Sequence, residues 1–399
     1  MQRKPLNEDN LARERSAWRL VTRMLGRAET VSRVETLRIP GPAGEIDLRL
    51  YRPAGHGRQE QPLPAVLWIH GGGFLLGGLA SADAICRHLA HSSGAVVVAV
   101  RYRLAPEHDL YAGREDCLAA LNWMAQEGHS VGIDTTQLAI AGDSAGGNLA
   151  AAVTQRYHEH GGTALRLQVL VYPATNLRDD FASRVENASG YMLTAKGIEA
   201  IEALIFKEGP DLSDPWISPA LREDLRGLPP AVMVLAGFDP IRDDGLVYAQ
   251  RLREAGVPVE LLHYAGQFHG FLNFNGVLRA ARDALDRVGN ALRQAFHAPE
   301  GQEAPLVDRT IELSVRTPIG AALGGACMGR DMMLLSLMFG ERLESWRASS
   351  IRSVLPGLGA IASVSPLLYP LTAWRALLGR EWAPIDARET YRDGLCTAS

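Results

Sequence analysis

Gly142-Asp143-Ser144-Ala145-Gly146 has the strongest claim to chemistry in this chain. It follows the apolar run QLAIA and opens an Ala-rich run, NLAAAV, with helical character. A serine held in a sharp strand-to-helix turn brings the residues two before and two after it into close approach, which Gly142 and Gly146 permit. The turn presents the Ser144 hydroxyl at a helix N-terminus, where developing negative charge is favoured. Such a serine needs a base, and the base needs an orienting carboxylate. On a nucleophile of this kind the chain order is Ser, acid, His. His269, in Gly266-Gln267-Phe268-His269-Gly270-Phe271 directly after VELLHYA, is the candidate base. Its rival His263 lies inside that strand-like run. Asp239 ends the run AVMVLAGF and precedes Pro240. That puts it at the carboxyl edge of a strand, where open α/β sheets bind ligands. Asp243 and Asp244 are its rivals, but they fall in the first turn of the next helix, where carboxylates favour the helix dipole.

His70-Gly71-Gly72-Gly73-Phe74 follows the run AVLWI. Three successive glycines allow backbone N–H groups to approach a reacting carbonyl and form an oxyanion hole, completed by the N–H of Ala145, the residue after the nucleophile. A phosphate-cradling loop is disfavoured, because neither a GK[ST] ending nor GxGxxG spacing is present. His70 is read as structural, orienting the loop through hydrogen bonds. Chemistry on these residues requires no metal and no organic cofactor.

These groups need elements to hold them. PAVLWIH, AVVVAVRY, QLAIAGDS, LRLQVLVYP, AVMVLAGFD and VPVELLHYA are short apolar runs rich in β-branched residues, suited to strands buried on both faces. Helical stretches at 113–127, 145–158, 243–255 and 277–296 separate most of them. This alternation predicts an α/β fold, a mostly parallel sheet with helices on both faces. An amphipathic helix is expected over 10–27, with Leu11, Trp18, Val21 and Leu25 on one face. A hairpin is expected over 31–53, where Ile46, Leu48 and Leu50 alternate with polar residues. The stretch 177–228, interrupted by Pro210, Pro215 and Pro219, reads as an excursion from the sheet.

The chain has 399 residues, 47% of them apolar, enough for one large domain with extra material or for two domains. Lys+Arg 41 against Asp+Glu 45 gives a net charge of −4, with no run of like charges, so no nucleic-acid partner is expected. Cys86, Cys117, Cys327 and Cys396 are far apart, which argues against a zinc knuckle or a disulfide framework. The N-terminal MQRKPLNEDN has no apolar segment of the kind found in signal peptides. The expected compartment is cytoplasmic.

HGGGF, YRLAPEH (102–108), GDSAGGNLAA (142–151), SPALREDLRGLPPAVMVLAGFDPIRDDG (218–245) and FHGF (268–271) occur in this order. Together they resemble the hormone-sensitive-lipase-like family, the bacterial family IV branch of the α/β-hydrolases, over about residues 10–297. The resemblance implies a serine carboxylesterase with a helical cap. Ser144 would be the nucleophile, Asp239 the acid and His269 the base, with Gly72, Gly73 and Ala145 as oxyanion donors. The cap would come from about residues 1–40 and 178–215, and the ester would carry a short to medium acyl chain, roughly C4–C8. The sequence departs from the family where YRLAPEH continues into Asp109-Leu110-Tyr111-Ala112, which puts local packing in doubt. Amide or formamide hydrolysis by the same triad is an alternative, as is a non-catalytic small-molecule binding protein on this scaffold.

The family pattern ends near residue 297. A linker is expected over 298–310, followed by a C-terminal extension, 311–399, of unassigned role. Within it, Ser353–Trp374 carries no charge but contains Pro356, Pro366 and Pro370. It is a candidate for contact with a membrane surface or a protein, and a homo-oligomer is compatible with it.

Overall fold

Val96–Val100, VVVAV, is buried at every position, as expected of a strand covered on both faces. In the computed structural model, which describes residues 6–55, 61–189, 192–298 and 309–311, this run is β4. It is joined by β1 (Arg33–Gly41), β2 (Gly44–Arg52), β3 (Leu63–Ile69), β5 (Ile133–Asp143), β6 (Gln168–Val171), β7 (Ala231–Phe238), β8 (Val259–Phe268) and β9 (Arg309–Ile311). The sheet order is β1-β2-β4-β3-β5-β6-β7-β8-β9. β1 and β2 form the expected antiparallel hairpin, and β2 pairs antiparallel with β4. All other pairs are parallel.

The helices are α1 (Glu8–Leu25), α2 (Asp83–Ser93), α3 (Leu110–Glu127), α4 (Ala145–Glu159), α5 (Ala182–Glu186), α6 (Ala195–Ile205), α7 (Arg242–Glu254) and α8 (Arg279–His297). α2 has no counterpart in the sequence reading. It packs against α8 through a close approach in which a side chain on Gly289 would collide with Ser92. At the departure from the family motif, Asp109 caps α3 by accepting a hydrogen bond from the Ala112 N–H at 2.8 Å.

Two boundaries differ from expectation. Of residues 1–40, assigned to the cap, Arg33–Pro40 belong to β1, because their alternation pairs them with β2. The sheet also gains β9, which pairs with β8 from Leu262↔Arg309 to Tyr264↔Ile311. Arg309 and Thr310, at the end of the expected linker, are therefore part of the sheet. A second unit runs from Glu312 to Thr390. That unit, Cys327, Cys396 and the apolar stretch 353–374 lie outside the described residues. Among the described residues, no helix is long and apolar enough to cross a membrane.

β3 is flanked by β4 on one side and β5 on the other. The chain therefore reverses its winding direction at β3, and the crevice at the carboxyl ends of β3 and β5 is where such sheets bind ligands. His70–Phe74 leaves β3 there, and Ser144 leaves β5.

Candidate active site

Ser144 stands between β5 and α4 with φ 56° and ψ −121°. A non-glycine residue in this region is strained. Its backbone is held on both sides, its N–H donating to the Val171 carbonyl at 2.8 Å and its carbonyl accepting from Asn148 N–H at 3.0 Å. The close approach expected of the flanking glycines is present. A Cβ on Gly142 would collide with the Gly146 carbonyl, and one on Gly146 with the carbonyls of Ile69 and His70.

His269 follows β8 directly. Its Nε2 is 2.8 Å from Ser144 Oγ, and its Nδ1 is 2.7 Å from Asp239 Oδ2. Asp239, at the end of β7, is fully buried, and its Oδ1 accepts from Ile241 N–H at 2.9 Å. The three residues thus meet although 125 and 30 positions separate the bonded pairs. The rivals do other work. Asp243 accepts from Ser183 N–H at 2.9 Å and pairs with Arg242, fastening α5 to α7. Asp244 accepts from Asn176 N–H, and burial raises its pKa well above the usual carboxylate value. His263 stays half-buried within β8, its pKa lowered by burial.

The glycine loop is built with similar economy. Gly72 and Gly73 adopt φ of 122° and 61°, which a β-carbon would resist. The Gly72 carbonyl accepts from the N–H groups of Leu75 and Leu76 at 3.1 and 2.9 Å. Gly71 N–H donates to Asp143 Oδ1 at 2.8 Å. The Gly71 donor is therefore committed to holding the loop, while Gly72, Gly73 and Ala145 all line the cavity that contains Ser144 and His269. Ala145 opens α4, whose first N–H groups have no partner within the helix. His70 is buried, donates from Nδ1 to the Gly71 carbonyl at 2.9 Å, and stacks on Tyr102 at 4.4 Å between ring centroids. Burial pushes its pKa down to about 4, so it is neutral. Tyr102 in turn donates its hydroxyl hydrogen bond to the His70 carbonyl at 2.8 Å.

Three supporting residues were not singled out in the sequence. Asp143, the residue before Ser144, braces the glycine loop, and burial raises its pKa to about 6. Tyr172, with φ 34°, lays its ring 4.7 Å from the His269 ring. Arg114, fully buried, donates to Asn148 Oδ1 at 2.7 Å and to the carbonyls of Leu110, Trp216 and Ile217. Its guanidinium lies over the Phe74 ring at 5.3 Å, and burial lowers its pKa to about 10. A charged residue buried without a carboxylate is not something spacing predicts.

The cavity above Ser144 measures about 390 Å³. Its roof comes from α1 (Ala17, Trp18, Val21) and α6 (Ile198, Ile201, Ile205), the two segments outside the sheet. A partly exposed serine bonded to a buried histidine–carboxylate pair, with backbone donors beside it, can attack an acyl carbonyl and stabilise the resulting oxyanion.

Comparison with known proteins agrees with this architecture. A family model described as alpha/beta hydrolase fold matches residues 66–273. Esterase LipI of Mycobacterium tuberculosis is 43% identical over 267 residues, spanning 66% of this chain and 83% of that protein. Ethyl acetate hydrolase of Pseudomonas putida is 36% identical over 253 residues, 62% of this chain and 78% of that one. Among solved structures, an ester-hydrolase from the metagenome of Lake Arreo, complexed with a bipyridine phosphonate derivative, superposes with TM-score 0.69 at 38% identity, covering 72% of this chain and 90% of that chain. The hyperthermophilic esterase of Pyrobaculum calidifontis gives TM-score 0.68 at 38% identity, with 73% and 93% covered.

Proposed function

The chain belongs to the hormone-sensitive-lipase-like family of α/β-hydrolase esterases, and from that premise we propose that it is a serine carboxylesterase acting on short- to medium-chain esters through an acyl-enzyme. The observation that carries this reading is the pair of contacts made by His269, 2.8 Å to Ser144 Oγ and 2.7 Å to Asp239 Oδ2.

A carboxylate at Nδ1 keeps a proton there and leaves Nε2 free to accept one. His269 takes the Ser144 proton as Oγ bonds to the ester carbonyl carbon, and Asp239 stabilises the imidazolium that forms. The carbonyl π electrons move onto oxygen, which accepts hydrogen bonds from the Gly72, Gly73 and Ala145 N–H groups. Each donor lowers the barrier by about 3 kcal/mol. As the tetrahedral centre collapses, the C–O bond to the alcohol breaks, and His269 returns its proton to the departing oxygen. Water then attacks the acyl-Ser144 with His269 again as base, releasing the acid and restoring the serine. The neutral His70, with its pKa near 4, is unsuited to this role and instead supports the loop.

The size of the cavity, about 390 Å³ with an aliphatic roof, suits a small or medium acyl group. The test is hydrolysis of p-nitrophenyl butyrate by wild type and by Ser144→Ala. We expect the variant to fold normally and lose roughly 10⁴-fold or more in kcat. Retention of a tenth of wild-type kcat would overturn the assignment.

A further inference from the structure

The two halves of an ester occupy different sides of this cavity. His269 protonates the departing alcohol, so the alcohol half lies on its side, toward Met192, whose Sδ is 3.9 Å from where a Cβ on Gly270 would stand. The acyl half points away from His269, past the oxyanion loop. There α6 closes over the loop. Carbons of the Ile201 side chain lie 3.0–3.4 Å from where a Cβ on Gly73 would stand. Ile198, Ile201 and Ile205 are spaced three and four apart, on one face of α6, and all three line the cavity. This aliphatic face of α6 offers an apolar path from the glycine loop toward the C-terminal turn of the helix.

A second cavity, about 200 Å³, lies at that turn. Its inner walls are Ala105, Pro106, Leu110 and Leu204, and His108 and Lys207 stand among its polar residues. Ile205 borders both cavities. Its own surface is only 6% exposed, so it separates them as a packed wall.

We propose that Ile205 is the end wall of the acyl arm and sets the longest acyl chain the enzyme processes well, with the second cavity lying unused behind it. The inference rests on the esterase reading and names the residue that determines specificity within it. Each methylene that finds apolar surface improves binding in the transition state by about fourfold, and the gain stops where the chain meets a wall. Removing the wall opens apolar space in which additional carbons are buried.

The experiment is a p-nitrophenyl ester series from C2 to C16 on the full chain, comparing wild type with Ile205→Ala, Ile205→Val and Ile205→Ala/His108→Trp. His108 is exposed and lines the second cavity, so tryptophan there plugs it from outside. Ile205→Ala should move the optimum to longer chains, raising the C10/C4 ratio of kcat/KM on the order of tenfold. Ile205→Val, a smaller disturbance to packing, should move the same way by less. The plugged double variant should return to the wild-type profile. An unmoved profile in folded Ile205→Ala and Ile205→Val overturns the proposal. So does a long-chain gain that persists in the plugged variant, because the space would then come from a loosened cap. A wild type inactive on every ester would overturn the esterase reading itself, and this inference with it.

Discussion

Asp143 and Ser144 are chain neighbours with opposite tasks, one gripping the Gly71 N–H and the other facing the cavity. Burial raises the Asp143 pKa from 3.8 to about 6, so its ionised form costs the native state about 3 kcal/mol above that pH. The native state then binds the proton more tightly than the unfolded chain. The cost is absent below about pH 4 and fully present above about pH 6. Asp143→Asn keeps an acceptor for Gly71 and removes the charge. Its stability relative to wild type should therefore improve from pH 4 to pH 7 by up to about 3 kcal/mol in urea unfolding, whereas parallel pH curves would contradict the account. A second expectation concerns the acid. Asp239→Asn should lower kcat on the order of 10⁴-fold, while Asp243→Asn should act mainly on stability, since its partners are Ser183 and Arg242. A larger kcat loss in Asp243→Asn would reverse the assignment. Ser144, His269 and Asp239 could be picked out in the sequence because each follows an apolar run that becomes a strand. Asp143, Tyr172 and Arg114 could not. Their partners, Gly71, His269 and Trp216, are distant in the chain, and no local pattern encodes such contacts.

At the scale of elements, Arg15 ties α1 to the chain that follows β3 and β4. Arg15 on α1 donates to the Leu75 carbonyl at 2.7 Å and to the Ala105 carbonyl at 2.9 Å, and pairs through both terminal nitrogens with Glu107. The guanidinium holds the Glu107 carboxyl below its ordinary pKa. One side chain thus ties the cap helix to the segment that carries Gly72 and Gly73. Arg15→Ala should raise KM for p-nitrophenyl butyrate on the order of tenfold, about the effect of one charge-assisted hydrogen bond, with a smaller change in kcat. Equal KM values would mean that the Arg15 contacts do not set the position of α1 over the cavity. The periodicity around Leu11, Trp18, Val21 and Leu25 identified this helix, but it could not tell which face meets the sheet and which roofs the cavity. Leu11 and Leu25 are buried, whereas Trp18 and Val21 line the cavity. Element lengths were also instructive. α5 and α6 are short and separated by irregular chain, so the excursion at 177–228 could be read only as a break in the βα rhythm.

For the molecule as a whole, the sheet governs both stability and chemistry. Its carboxyl edge holds His70–Phe74, Ser144, Asp239 and His269, each at the end of a different strand. The alternation of apolar runs made this arrangement legible in advance. β9 was not, because three residues, Arg309–Ile311, carry too little pattern to identify a strand. We propose that residues 312–399 are dispensable for ester hydrolysis. A chain ending at Ile311 should hydrolyse a short ester with wild-type kcat. One ending at Pro299 should be less stable, because the edge of β8 loses its partner. Inactivity of the 311-residue chain would mean that the catalytic unit extends further. The most direct test of the central claim is intact-protein and peptide mass spectrometry after exposure to a p-nitrophenyl alkylphosphonate, with released p-nitrophenol counted in parallel. One phosphonyl group per chain on Ser144, one equivalent of p-nitrophenol, complete loss of esterase activity and no reaction with Ser144→Ala are expected. A phosphonylated Ser144 with activity intact, or inhibition with the adduct on another residue, would contradict it.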